Sequence, residues 1–99
     1  DLVLLRTLSP GHPNCAKAIN PYKSFPEYLE HGQTTEWDWH LFVQYNKIIE
    51  DQVLRISRDT NWTGATVELH DIYWMTALRQ DGHPNADDCL HYLLPGPPD

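Results

Sequence analysis

Trp37-Asp38-Trp39-His40-Leu41-Phe42-Val43-Gln44-Tyr45-Asn46-Lys47-Ile48-Ile49-Glu50-Asp51-Gln52-Val53-Leu54-Arg55-Ile56-Ser57-Arg58 carries the longest regular pattern in the chain. Phe42, Tyr45, Ile49, Val53 and Ile56 recur at steps of three and four, which predicts one apolar stripe on a helix running from Trp37 to about Arg58. Asn46, Lys47, Glu50 and Asp51 fall on the other side of that helix. Thr34 or Thr35 suits its N-cap, with Glu36 and Asp38 favourably placed in a first turn. On its C-terminal side, Asp59-Thr60-Asn61-Trp62-Thr63-Gly64 reads as a turn and Ala65-Thr66-Val67-Glu68-Leu69 as a strand. Far upstream, Leu2-Val3-Leu4-Leu5 is a continuous apolar run, the pattern of a strand buried on both faces. Strand, helix and strand make a βαβ unit with parallel pairing and a right-handed crossover. The fold class is therefore α/β, and the abrupt start on a strand suits a portion of a larger domain.

Residues 9–33 are rich in turn formers, and a loop of that length is uncommon unless functional. His12 stands just past the first strand, on the side of an open α/β sheet where ligands bind. It reads either as a turn residue bonded to nearby backbone or as a substrate contact. Arg6 reads either as a buried ion-pair partner or as a substrate ligand. His70 and Asp71 end the second strand and favour a turn, followed by a short helix or loop through Leu78. Trp37 and Trp39 suit the core, although exposed indoles are also what sugar-binding surfaces use.

The last stretch, from Asp81 to Asp99, holds two histidines and a cysteine among Pro and Gly. Asp88-Cys89-Leu90-His91 sets a carboxylate three residues before an imidazole, close neighbours on one turn. Such a carboxylate can accept the Nδ1 proton and leave Nε2 as an outward general base. No nucleophile accompanies it: Ser9, Ser24 and Ser57 lie in no recognisable elbow.

Bulk properties narrow the partners. At 99 residues the chain makes at most one small domain, burying about two thirds of its unfolded surface. A formal charge of −7 with only seven Lys and Arg argues against nucleic acid and against an anionic membrane surface. No run approaches the roughly eighteen apolar residues of a membrane span, and no signal peptide opens the segment, so a secretory address would have to lie outside it. The six histidines show no His-x-His, His-Glu-x-x-His or Cys-x-x-Cys spacing, so no metal is expected. A phosphate-cradling glycine loop is absent as well, and no cofactor is implied. Cys15 and Cys89 are free to pair with each other or with cysteines elsewhere in a longer protein. Asn61-Trp62-Thr63 is an N-glycosylation sequon, meaningful in the secretory pathway.

His83-Pro84, Asp88-Cys89-x-His91-Tyr92 and Leu94-Pro95-Gly96-x-Pro98-Asp99, in that order, resemble the C-terminal block of the trichome birefringence-like proteins. Those belong to the PC-esterase group of polysaccharide O-acetyltransferases and esterases. Arg6-Thr7-x-Ser9-Pro10-x-His12 resembles the family's strand-end turn, and Leu78-Arg79-Gln80-Asp81-Gly82-His83-Pro84 its approach to the final block. Two positions depart from the usual pattern: Leu93 stands in place of a cysteine, which puts one disulfide in doubt, and Tyr92 in place of Trp.

The resemblance implies the C-terminal βαβ portion of an SGNH-hydrolase-like sheet over residues 1–99, incomplete on its own. It implies a Ser-His-Asp triad with His91 as base and Asp88 as its orienting acid. The serine of a Gly-Asp-Ser motif would come from the N-terminal remainder of the same protein. His12 and Arg6 become substrate-contact candidates. The expected partners are a glycan substrate and an acetyl donor, and the expected location is the Golgi lumen or outside the cell. A non-catalytic carbohydrate-binding or structural glycoprotein with the same fold is the alternative.

Overall fold

The computed structural model describes residues 1–93, so the expectations placed on Leu94 through Asp99 lie outside the described residues. Strand β1 (Leu2–Arg6) leads into a long excursion holding a 3-10 turn at Cys15–Lys17 and helix α1 (Phe25–His31). A second 3-10 segment, Glu36–Leu41, precedes helix α2 (Phe42–Arg58), then strand β2 (Thr66–His70) and helix α3 (Tyr73–Ala77). β1 and β2 pair in parallel, from Leu2 opposite Thr66 to Arg6 opposite His70, and α2 packs on β2. The mixed α/β class with parallel pairing is thus present. No helix among the described residues is long and apolar enough to cross a membrane.

Four local readings change. β1 is not buried on both faces: all five of its residues are exposed, Leu2 at 57% and Leu4 at 56%. Among the described residues the sheet has two strands, so β1 has a neighbour along one edge and little packed over its faces.

The helix also starts later than its periodicity suggests. Trp37 and Asp38 adopt left-handed backbone angles, with φ of 51° and 58°, a region costly for residues carrying a Cβ. Neither threonine caps α2; Thr34 Oγ1 instead accepts from the Glu36 N–H at 3.2 Å. The break separates two adjacent indoles, sinking Trp39 to 4% exposure and leaving Trp37 at 77%. Gly11 lies against Trp39 so closely that a Cβ there would sit 2.2 Å from the ring.

Asn46 is the third change, because it faces inward. Its Oδ1 accepts from the Leu8 N–H at 2.7 Å and its Nδ2 donates to the Leu8 carbonyl at 3.1 Å. A polar residue that serves both backbone groups of one neighbour belongs on the packed side of a helix, whatever hydropathy says. Asn46→Ala is expected to cost about 1–2 kcal/mol by leaving these groups unsatisfied. Urea unfolding checks this, and an unchanged midpoint would contradict it.

α1 arises within the stretch read as loop. Ser24 Oγ accepts from the Glu27 N–H at 3.3 Å, Glu27 Oε2 accepts from the Lys23 N–H at 2.6 Å, and Pro26 lies in the first turn. This is a variant of the capping box in which the glutamate reaches past the N-cap to the N–H of the residue before it. Tyr28 of α1 meets Tyr73 and Ala77 of α3 in the buried cluster, the two phenols 3.1 Å apart. Thr7 joins the strand ends: its Oγ1 accepts from the Ile72 and Tyr73 N–H groups at 2.9 and 3.1 Å and donates to Asp71 Oδ1 at 3.1 Å. Asp71 is thereby used in the turn.

Candidate active site

The loop after α3 is shaped by two successive side-chain-to-backbone turns, a use to which Asn and Asp are well suited. Asn85 Oδ1 accepts from the N–H groups of Asp87 and Asp88 at 2.9 and 3.1 Å. Asp88 Oδ1 then accepts from Leu90 and His91 at 3.1 and 2.9 Å. The second turn folds the His91 ring back over the carboxylate, and its Nδ1 donates to Asp88 Oδ2 at 2.9 Å. The spacing seen in sequence therefore produces a paired dyad. His91 N–H, and next its ring, hold the Asp88 carboxyl below its ordinary value. The imidazole is largely exposed, and its Nε2 makes no hydrogen bond among the described residues.

Four ties hold this loop to the rest of the chain. Cys89 is joined to Cys15 by a disulfide, which selects one of the pairings open to the sequence. The His12 N–H donates to the Cys89 carbonyl at 2.9 Å, and the Leu93 N–H to the Gly82 carbonyl at 3.0 Å. The Tyr92 hydroxyl, buried enough that its pKa is pushed up, donates to Pro10 O at 2.8 Å with Thr76 O at 3.2 Å.

Beside the dyad opens a cleft of about 660 Å3, walled by Glu36, Trp37, Trp39, His12, Asp88 and His91. A second cavity of about 400 Å3 lies between α2 and the strand ends, where Asp71 and Asn46 already spend their polar atoms on backbone and Thr7. The cleft, not this cavity, joins an open imidazole nitrogen to an exposed aromatic ring.

Of the other sequence candidates, His12 reaches the cleft wall but presents no free nitrogen. It is fully buried, with Nε2 at 2.8 Å from Ala77 O and Nδ1 at 2.8 Å from His83 Nε2. Arg6 is exposed at the end of β1, outside the cleft lining and without an ion pair among the described residues, so the buried ion pair does not form. Asn61 lies exposed on the turn between α2 and β2, its side chain open to solvent. His83 went unnoticed in the sequence as a separate participant; its Nδ1 meets the His91 carbonyl at 2.6 Å.

Over 98% of its length, in an alignment of 119 residues, the chain is 32% identical to protein trichome birefringence-like 20 of Arabidopsis thaliana. The chain is similar to the trichome birefringence-like proteins. Protein trichome birefringence-like 42 of the same plant is 46% identical over 41 residues, a third of the chain. The chain spans 23% of the first of these trichome birefringence-like proteins and 11% of the second. No family model and no solved structure matches it.

Proposed function

We propose that this chain is the C-terminal part of a trichome birefringence-like, PC-esterase-type protein that moves acetyl groups onto or off a polysaccharide. His91 and Asp88 are its contribution to a Ser-His-Asp triad. The single observation that carries this is the His91–Asp88 pair at 2.9 Å with Nε2 open at a cleft, taken with the likeness in sequence. In the proposed reaction an upstream serine hydroxyl attacks the acetyl carbonyl while its proton passes to His91 Nε2. The tetrahedral intermediate collapses to acetyl-serine, and the donor's leaving oxygen takes the proton from His91. A glycan hydroxyl, or water in an esterase, then gives His91 its proton and attacks; collapse returns the acetyl to the acceptor and the proton to the serine.

Trp37, exposed on the cleft wall, is suited to the face of an acceptor sugar, its indole offering a flat apolar surface. The same ring supports the second reading, a glycan-binding protein without turnover. The Cys15–Cys89 disulfide and the open sequon at Asn61 favour a Golgi-luminal or extracellular location. The bare apolar β1 suits a strand covered by the N-terminal remainder of the protein.

The test is labelling of the full-length protein with a serine-directed fluorophosphonate. Strong labelling in the wild type that disappears in His91→Ala is the expected result. A folded protein that never labels supports the glycan-binding reading instead.

A further inference from the structure

The buried partners of His12 and His83 impose a proton count. A carbonyl oxygen only accepts, so His83 Nδ1, 2.6 Å from His91 O, must carry a hydrogen. For the same reason His12 Nε2, 2.8 Å from Ala77 O, must carry one. A neutral imidazole has one N–H, and in each ring it is now spent. The two remaining nitrogens, His12 Nδ1 and His83 Nε2, face each other at 2.8 Å. With both rings neutral, two lone pairs would oppose at hydrogen-bond distance. The pair is largely closed to solvent, His12 being 0% and His83 9% exposed.

We infer that His12 and His83 hold one additional proton between them, and that this buried pair positions His91 through the hydrogen bond from His83 to the His91 carbonyl. The positioning half rests on the catalytic reading of His91; the proton count does not.

The surroundings divide. Burial acts against the charge, pushing His12 down to about 4 and His83 below its ordinary value. His91 acts the same way on His83. The carbonyls of Ala77 and His91 and the carboxylates of Asp81 and Asp88 favour the charge. Asp81 is itself clamped by Arg79 at 2.9 and 3.0 Å. Tyr22, Tyr28 and Tyr92 surround His12 with ring centroids 6.2 Å away, and Tyr92 lies over His83 at 4.6 Å, within reach of a cation–π contact. Burial alone would favour neutral rings, yet neutral rings cannot make the three bonds that the geometry requires. The shared proton leaves one positive charge on the pair, set against burial by the two carbonyls and the Asp81 and Asp88 carboxylates, and it titrates as a property of the pair rather than of either ring. When rising pH removes one proton from the pair, one ring changes tautomer to keep the bond between the rings, and either the Ala77 or the His91 carbonyl loses its donor.

The deciding experiment is two-bond 1H–15N correlation of the full-length protein carrying ring-15N histidine at pH 6. The His12 and His83 signals are assigned by their loss in His12→Gln and His83→Gln. Two nitrogens fully protonated and two sharing one proton, at shifts midway between protonated and bare, is the expected pattern. Two bare nitrogens, or four protonated ones, overturns the proton count.

Positioning is read from pH profiles of acetyl turnover. Wild-type kcat should fall as the pair deprotonates with rising pH. His12→Gln, whose amide gives His83 a donor that does not titrate, should lose that fall. His12→Leu, with no donor, should lower kcat about tenfold across the range with KM little changed. Variant profiles that superimpose on the wild type overturn the positioning role. A protein with no turnover and no serine labelling overturns that role together with the catalytic reading on which it rests, and leaves the nitrogen count still decisive for the proton.

Discussion

Asp88→Asn in the full-length protein is expected to lower acetyl turnover by about 10^3- to 10^4-fold, with KM for the donor nearly unchanged. The substitution keeps shape: the amide oxygen can still accept from Leu90 and His91 N–H, so the loop that Asp88 builds is retained. What changes is the partner of His91 Nδ1. An amide nitrogen in place of Oδ2 is a donor, and it favours the tautomer with Nδ1 bare and Nε2 protonated. A protonated Nε2 cannot take the serine's proton. His91→Ala should cost a similar factor, and the double variant little more, because the two groups act as one unit.

The effect is specific in pH as well. The Asp88 carboxyl is held below its ordinary value, by the His91 N–H first and the imidazole second. Its charge is therefore present through neutral and mildly acidic pH and is lost only as pH falls through that lowered value. Steady-state kinetics with a chromogenic acetyl ester measures all of this. An Asp88→Asn enzyme within tenfold of wild type sinks the triad assignment.

The paired substitution Cys15→Ser with Cys89→Ser should be the most damaging to stability. The cross-link spans 74 residues, for which the chain-entropy relation gives about 4 kcal/mol as an upper figure. Its position adds a functional consequence, since Cys89 lies between Asp88 and His91. Without the bond, the loop keeps its internal turns but is tied to the His12 segment by the His12–Cys89 backbone bond, the histidine pair and the Tyr92–Pro10 hydrogen bond. Turnover should then decline at denaturant concentrations below the unfolding midpoint, whereas in the oxidised wild type the two should coincide. Unfolding followed with and without reductant reads the first effect, and activity in the same samples the second. A double variant within about 1 kcal/mol of wild type would falsify the claim that this bond holds the site together.

The parts legible in the sequence were those encoded locally. An aspartate three residues before a histidine is enough, because the carboxylate organises its own turn and then meets the ring. The two strands were legible from short apolar runs between turn formers, and the body of the helix between them from its period. The Trp37–Asp38 break was not, since no local preference favours left-handed angles at a tryptophan; it follows from burying Trp39 beneath Gly11. Asn46 was placed on the wrong side because hydropathy cannot see a backbone partner 38 positions away. The Ser24-x-x-Glu27 signal for α1 was present, and was masked by the surrounding prolines and glycines. His83 could not have been found from spacing, because its partner His12 is 71 positions distant.

Those distances bear on how the chain reaches this arrangement. Thr7 to Asp71, His12 to His83 and Pro10 to Tyr92 close separations of 64, 71 and 82 residues. Topologies dominated by such closures fold slowly, because the entropy of each loop is lost before its contacts form. Throughout that interval β1 offers an unpaired edge and bare leucines, the surface that recruits strands from other molecules. Expression of these residues by themselves should favour self-association over folding, which size-exclusion chromatography of the refolded chain reads.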